Sequence, residues 1–144
     1  MRVAINGMGR IGRLLLRRLL NQPGLEIVAV NDIMPLDNLA YLLKYDSVYG
    51  AFPGSISFED RCVQVNGTKI AAFQVEDPAR LPWKDLDIDV VLECSGKFSQ
   101  YAGASRHLEA GAKKVLLSTT GSDDIPLLIY GFNHTSITPD TNIV

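Results

Sequence analysis

The sequence predicts an α/β fold: a doubly wound, mainly parallel sheet with an antiparallel β-hairpin insert. Three observations point there. Short β-branched runs alternate with amphipathic helical stretches, the pattern of strand–helix–strand units. The middle of the chain changes to period-two alternation around an Asn-Gly turn signal. The chain has 144 residues, 47% hydrophobic and 21% charged, which suits one domain around one core.

The first strand is Arg2 to Asn6. A helix follows from Arg10 to Asn21, with Ile11, Leu15, Leu16, Leu19 and Leu20 at helical spacing, and Pro23-Gly24 stops it. The second strand is Leu25 to Asn31, and Asp37 is a candidate cap for a helix running through Tyr45. Ile56-Ser57-Phe58 and Cys62-Val63-Gln64-Val65 alternate with period two. Asn66-Gly67 then suits a type I′ turn, which needs positive φ at both central residues. Wound units resume with strand Ile88 to Leu92, helix Gln100 to Ala110 and strand Lys114 to Ser118. Leu127 to Tyr130 is another apolar run, and Thr141 to Val144 reads as the opening of a further strand cut short.

Composition narrows the function classes. The net charge of −2 gives no general reason to expect nucleic acid or a membrane surface as partner. The longest apolar stretches, such as Ile125 to Phe132, fall far short of the ~18 residues a membrane helix needs. The amino-terminal residues turn polar too soon for a signal peptide. Cys62 and Cys94 form neither a disulfide framework nor a metal-binding pattern, so two reduced thiols and a cytoplasmic location are expected, with no metal site.

Asn6-Gly7-Met8-Gly9-Arg10-Ile11-Gly12 contains G-x-G-x-x-G. Glycines are common, so the pattern means little alone. Here a strand precedes it, an amphipathic helix follows, and Asp32 ends the next strand 20 residues after Gly12. Each part has a physical task in a Rossmann dinucleotide site. Gly7 permits the tight strand-to-helix turn, Gly9 lets a pyrophosphate approach the backbone, and Gly12 lets helix and strand pack closely. Unpaired amides around Arg10 and Ile11, with the helix dipole, hold the phosphates. Asp32 accepts hydrogen bonds from ribose hydroxyls. Its carboxylate would repel a 2′-phosphate, and no basic residue adjoins it, so NAD is favoured over NADP.

Ligands of open α/β sheets lie beyond the carboxyl ends of the strands, which makes Ser95, Gly96, Phe98 and Ser118 candidates to face the cofactor. The other chemistry-bearing residues carry blander expectations. Arg10, Arg13, Arg17 and Arg18 read mainly as a solvated helix face. Cys94 reads as a buried, inert thiol, since reactivity needs a lowered pKa. His107 and His134 show neither zinc spacing nor an evident acid–base partner, and read as surface or structural.

Ala4 to Arg13 resembles the opening of the phosphorylating glyceraldehyde-3-phosphate dehydrogenases, and so does Ala29-Val30-Asn31-Asp32. Lys44-Tyr45-Asp46-Ser47-Val48-Tyr49-Gly50 is similar to a further block of that family. So are Leu92-Glu93-Cys94-Ser95-Gly96-Lys97-Phe98, His107 to Val115, and Tyr130-Gly131-Phe132-Asn133-His134, all in the family's order. The resemblance implies that residues 1–144 are the NAD-binding Rossmann domain of a homotetrameric glycolytic oxidoreductase. In such enzymes a cysteine thiolate attacks a phosphorylated aldehyde, a histidine assists, hydride passes to NAD, and phosphate releases the acyl group. Carried over by position, Arg10 and Ile11 would contact the pyrophosphate and Asp32 the adenosine ribose. Ser95, Gly96 and Ser118 would line the nicotinamide side.

The chain departs from the family pattern in three places. Val144 falls just before the family's S-N-A-S-C motif, so the nucleophile, the catalytic histidine and both phosphate subsites are expected to lie outside this sequence. The chain should then bind cofactor and catalyse nothing. The catalytic domain and a C-terminal helix that covers part of this domain would also be absent, leaving an apolar patch. Glu76 stands where the family has an arginine beside the adenine edge, which further disfavours NADP. Ser118-Thr119-Thr120 and Val48-Tyr49 also depart from the usual residues, as in a sub-branch such as the erythrose-4-phosphate dehydrogenases. A stand-alone NAD-binding or interaction module is the alternative of another class.

Overall fold

In the computed structural model, which describes residues 1–144, strand β1 (Arg2–Asn6) is an interior strand of a seven-stranded sheet. Helix α1 (Arg10–Leu19) returns the chain to β2 (Glu26–Asn31), parallel to β1. Helix α2 (Leu36–Lys44) and a separate two-stranded ribbon, β3 (Tyr45–Asp46) with β4 (Gly50–Ala51), follow. The insert then forms β5 (Ile56–Glu59), β6 (Cys62–Val65) and β7 (Thr68–Phe73). It is joined edge-on to the main sheet, because β7 pairs antiparallel with β6 and parallel with β2. Past Trp83 the chain crosses to β8 (Val90–Glu93), parallel to β1 on its other side, then through α3 (Tyr101–Glu109) to β9 (Lys114–Leu117).

The sheet order is β5-β6-β7-β2-β1-β8-β9. The winding therefore runs outward from β1 through β2 to β7, then reverses to β8 and β9. That reversal separates the crossovers flanking β1 and β8 and leaves a crevice at their carboxyl ends. Beyond β9, Ile143 makes an isolated parallel bridge to Val115, and Val144 N–H donates to Val115 O at 3.1 Å.

Both faces of the sheet are apolar, as a parallel sheet requires. On one face Val3, Ile5, Val30 and Leu92 meet Leu16 of α1 and Leu39 and Leu43 of α2. Each such buried aliphatic side chain contributes about 1.5–3 kcal/mol. On the other face Ala4, Ala29 and Val91 are covered by Leu81, Trp83 and Ile88. Alanines on that side leave room for the indole. At the hairpin, Asn66 and Gly67 take φ values of +50° and +83°, as a type I′ turn demands.

Several local expectations are corrected. Helix α1 ends at Leu19 rather than Asn21, because Gln22 N–H bonds Leu19 O and tightens the last turn before Gly24 at φ +80°. Pro35, not Asp37, occupies the cap position of α2; Asp37 sits inside the first turn, where its charge suits the helix dipole. Ile88 is a buried plug bonded to Trp83 O, and strand pairing of β8 begins at Val90. Two of the α1 arginines are more than a solvated face. Arg13 donates to Met8 O at 2.9 Å, and Arg17 donates to Leu43 O at 2.6 Å and lies over the Phe52 ring. These bonds pin the glycine turn and tie α1 to α2. No helix is long and apolar enough to cross a membrane.

Candidate functional site

The crevice is built by two chain segments that leave the sheet side by side. β1 ends at Asn6 and turns through Gly7-Met8-Gly9 into α1; β8 ends at Glu93 and turns through Ser95-Gly96. Gly7 sits at φ +91°, and a Cβ there would stand 2.4 Å from the Ser95 amide nitrogen. Only glycine lets the two turns pass. A Cβ on Gly12 would lie 2.0 Å from Gly7 O, so the helix rests directly on the turn. Gly9 is different: a Cβ there would meet nothing within 4 Å and would project into open space. That position is empty of protein although it borders the helix start.

Gly9 is also the cap residue of α1, with no side chain capping the first turn and no acidic residue in it. The amides of Arg10, Ile11 and Gly12 therefore have no acceptor. Uncapped amides at the positive end of a helix make a place for an anion.

Asp32 closes the other side. Its Oδ2 accepts from Met8 N–H at 2.5 Å and its Oδ1 from Met34 N–H at 2.9 Å. A carboxylate has about four lone-pair directions, so two remain for hydroxyl donors. A cleft of about 180 Å³ brings Gly7, Gly9, Asp32 and Ser95 together, with Ile33 and Phe98 as its apolar walls. It adjoins a wider hollow of about 910 Å³ that reaches Arg80 and Arg106 and shares Val75 and Glu76 with it.

The remaining candidates lie around this cleft. Arg10 and Ile11 are exposed on the first turn of α1 and Gly12 is buried beneath it. Gly96 occupies the turn after β8 at φ +73°. Ser118 does not line the cleft. It is exposed at the end of β9, its amide bonded to Glu93 O at 2.9 Å and its side chain to the Cys94 thiol. Burial pushes that thiol up to about 11, against the Ser118 hydrogen bond and with added push from the Glu93 carboxylate. Cys94 is thus protonated at neutral pH, in line with an inert role. No group of three or more His, Cys, Asp or Glu side chains is placed to hold a metal ion.

Sequence reasoning passed over Glu93, and of the two readings of His107, surface or structural, the structural one holds. Both residues are buried, and they bond each other at 2.9 Å. Burial raises the Glu93 pKa, but hydrogen bonds from His107, Ser95 and Asn6 outweigh it and hold the carboxyl below its ordinary range. A signal for His107 was present: it falls three residues after Ala104, and both are buried on the inner face of α3.

Relatives of known name share this architecture's sequence. Residues 1–101 match the family model described as glyceraldehyde 3-phosphate dehydrogenase, NAD binding domain. Glyceraldehyde-3-phosphate dehydrogenase 1 of Saccharomyces cerevisiae is 47% identical over 144 residues, covering 99% of this chain and 43% of the yeast protein. Glyceraldehyde-3-phosphate dehydrogenase of Clostridium acetobutylicum is 48% identical over 133 residues, covering 92% of this chain and 40% of that protein. The Chlamydia muridarum enzyme of the same name is 44% identical over 146 residues, covering 100% of this chain and 43% of its own length. The chain therefore spans about two fifths of the length of these relatives. It belongs to the NAD-binding-domain family of the glyceraldehyde-3-phosphate dehydrogenases, and NAD is its cofactor.

Proposed function

We propose that this chain holds NAD in the crevice at the carboxyl ends of β1, β2 and β8. The amides of Arg10 and Ile11 take the diphosphate over Gly7, Gly9 and Gly12, and Asp32 takes the adenosine ribose. Ser95 and Gly96 take the nicotinamide side, while Ser118 stands outside the cleft at the end of β9 and reaches that side only through its contact with Cys94. The observation that carries this reading is Gly9. Its missing side chain leaves open space directly in front of uncapped helix amides, whereas Gly7 and Gly12 are required by close packing. The donor chemistry fits a dinucleotide: amide N–H groups for phosphate, a carboxylate for ribose, Ile33 and Phe98 for a ring. NAD, when bound, supplies the hydride acceptor. Asp32 and Glu76 both line the cleft and both oppose a 2′-phosphate, which favours NAD over NADP.

The whole protein is proposed to oxidise and phosphorylate glyceraldehyde 3-phosphate, as a cytoplasmic homotetramer. The names of the relatives support the dehydrogenase activity, and the family resemblance of the sequence suggests the rest. The chain itself is read as carrying no catalytic residue, because its one crevice thiol, Cys94, is held protonated and half-buried. Calorimetric titration with NAD and NADP tests the binding reading: NAD should bind and NADP should bind at least tenfold more weakly, about 1.4 kcal/mol. Equal affinity would overturn the assignment of Asp32. An assay of the chain with aldehyde, NAD and phosphate should give no NADH; turnover would overturn the non-catalytic reading. Comparing glyceraldehyde 3-phosphate with erythrose 4-phosphate in the full-length protein identifies its aldehyde.

A further inference from the structure

Beneath the crevice runs a line of buried side chains that the cofactor contacts leave without a task. Trp83 Nε1 donates to His107 Nδ1 at 3.0 Å. An indole nitrogen is only a donor, so Nδ1 must accept and the imidazole carries its proton on Nε2. That Nε2–H donates to Glu93 Oε2 at 2.9 Å. The contact is therefore a hydrogen bond from a neutral imidazole to a carboxylate, not an ion pair. Asn6 Nδ2 donates to the same oxygen at 2.5 Å. With Oε2 occupied, Oε1 receives both the amide and the hydroxyl of Ser95, at 2.7 and 2.5 Å. Asn6 in turn accepts from Asn31 at 2.7 Å, and Asn31 exchanges two hydrogen bonds with the Val75 backbone. Trp83, His107 and Glu93 have essentially no solvent contact.

We propose that His107, held between the Trp83 indole N–H and the Glu93 carboxylate, is a positioning residue for the nucleotide crevice. It orients the Glu93 carboxylate, which in turn sets the Ser95 turn and Asn6 at the end of β1. Nucleotide affinity then depends on an imidazole that does not line the cleft. The reason is donor supply. A buried carboxylate that loses one donor takes another from its surroundings, and the donors within reach are those of the crevice turn. This proposal rests on the reading of the crevice as the NAD site.

The test uses this chain, NAD calorimetry and NMR of the histidine ring nitrogens. His107→Leu removes both ring functions; His107→Gln keeps a donor toward Glu93 and an acceptor toward Trp83. His107→Leu should weaken NAD binding about tenfold, and His107→Gln should stay within about threefold of the parent, even where both lower Tm alike. Trp83→Phe removes the donor to Nδ1 while the ionised Glu93 still demands Nε2–H, so it should keep the Nε2–H tautomer, shift the Nδ1 resonance and weaken NAD about threefold. Trp83→Phe decides the matter if His107→Leu does not fold. A natively folded His107→Leu chain that binds like the parent overturns the proposal. So does Trp83→Phe with an unmoved Nδ1 resonance, or with a moved resonance and unchanged affinity. A parent chain that fails to bind NAD overturns the cofactor reading first and this proposal with it. A binding parent with unaffected variants overturns this proposal alone.

Discussion

The backbone amide of Met8 donates a 2.5 Å hydrogen bond to Oδ2 of Asp32, residues 24 apart in sequence. The carboxylate assigned to the ribose is thus also the anchor of the glycine turn assigned to the diphosphate. The two halves of the site share one side chain, so a change at Asp32 alters both.

Asp32→Gly should accordingly do two things. It should narrow the preference for NAD over NADP, because the like-charge repulsion of a 2′-phosphate is removed. It should also lower stability by about 1–3 kcal/mol, because the amides of Met8 and Met34 lose their charged acceptor. Calorimetry with both cofactors and urea unfolding measure the two effects. An unchanged NAD:NADP ratio would show that Asp32 is not the discriminator.

The three glycines of the turn should separate by readout. Gly9→Val should abolish measurable NAD binding while costing the fold no more than about 1 kcal/mol, since its Cβ enters open space and only the cap is poorer. Gly7→Ala and Gly12→Ala should destabilise by about 2–4 kcal/mol, because their Cβ atoms meet backbone at 2.4 and 2.0 Å. Urea midpoints beside NAD titrations check this. A Gly9→Val chain with parental affinity would count against the site.

Cys94 should resist alkylation. A thiol titrating at about 11 instead of 9.0 has roughly a hundredfold less thiolate at pH 8. Iodoacetamide labelling at that pH, mapped by mass spectrometry, should be far slower at Cys94 in the folded chain than in the urea-unfolded one. The sign for stability follows from the raised value. The fold favours the protonated thiol, so this contribution is intact below the ordinary value of 9.0 and is lost as pH climbs toward 11. Cys94→Ala should flatten that alkaline limb.

Leu116, Leu127, Ile129, Phe132 and Ile137 are exposed, and one groove beside Leu116, lined also by Leu117, Ile125 and Leu128, is mainly apolar. The chain should therefore self-associate at micromolar concentration. Sedimentation velocity should show species heavier than 15.8 kDa, and Leu116→Lys should reduce them. A single monomeric boundary at all concentrations would contradict this.

Much of the fold was legible because its signals are local. Helix α1 announces itself by leucine spacing, and the hairpin by Asn66-Gly67, whose φ values are set by those two residues. The glycine turn and Asp32 were legible for the same reason. Each task is written in residue type and spacing along a short stretch. What escaped depends on tertiary neighbours. Glu93 meets His107 across 14 residues and His107 meets Trp83 across 24, so no periodicity announces either pair. Arg17 reads as a surface charge until α2 brings Leu43 O to it. Ile88 reads as strand because it is β-branched, but here it fills the core beside Trp83 before pairing starts.

A crystal of this chain soaked in NAD tests the central claim most directly. The diphosphate should lie against the amides of Arg10 and Ile11, over Gly9, with the adenosine ribose on Asp32. A dinucleotide lodged elsewhere, with that turn empty, would contradict the account.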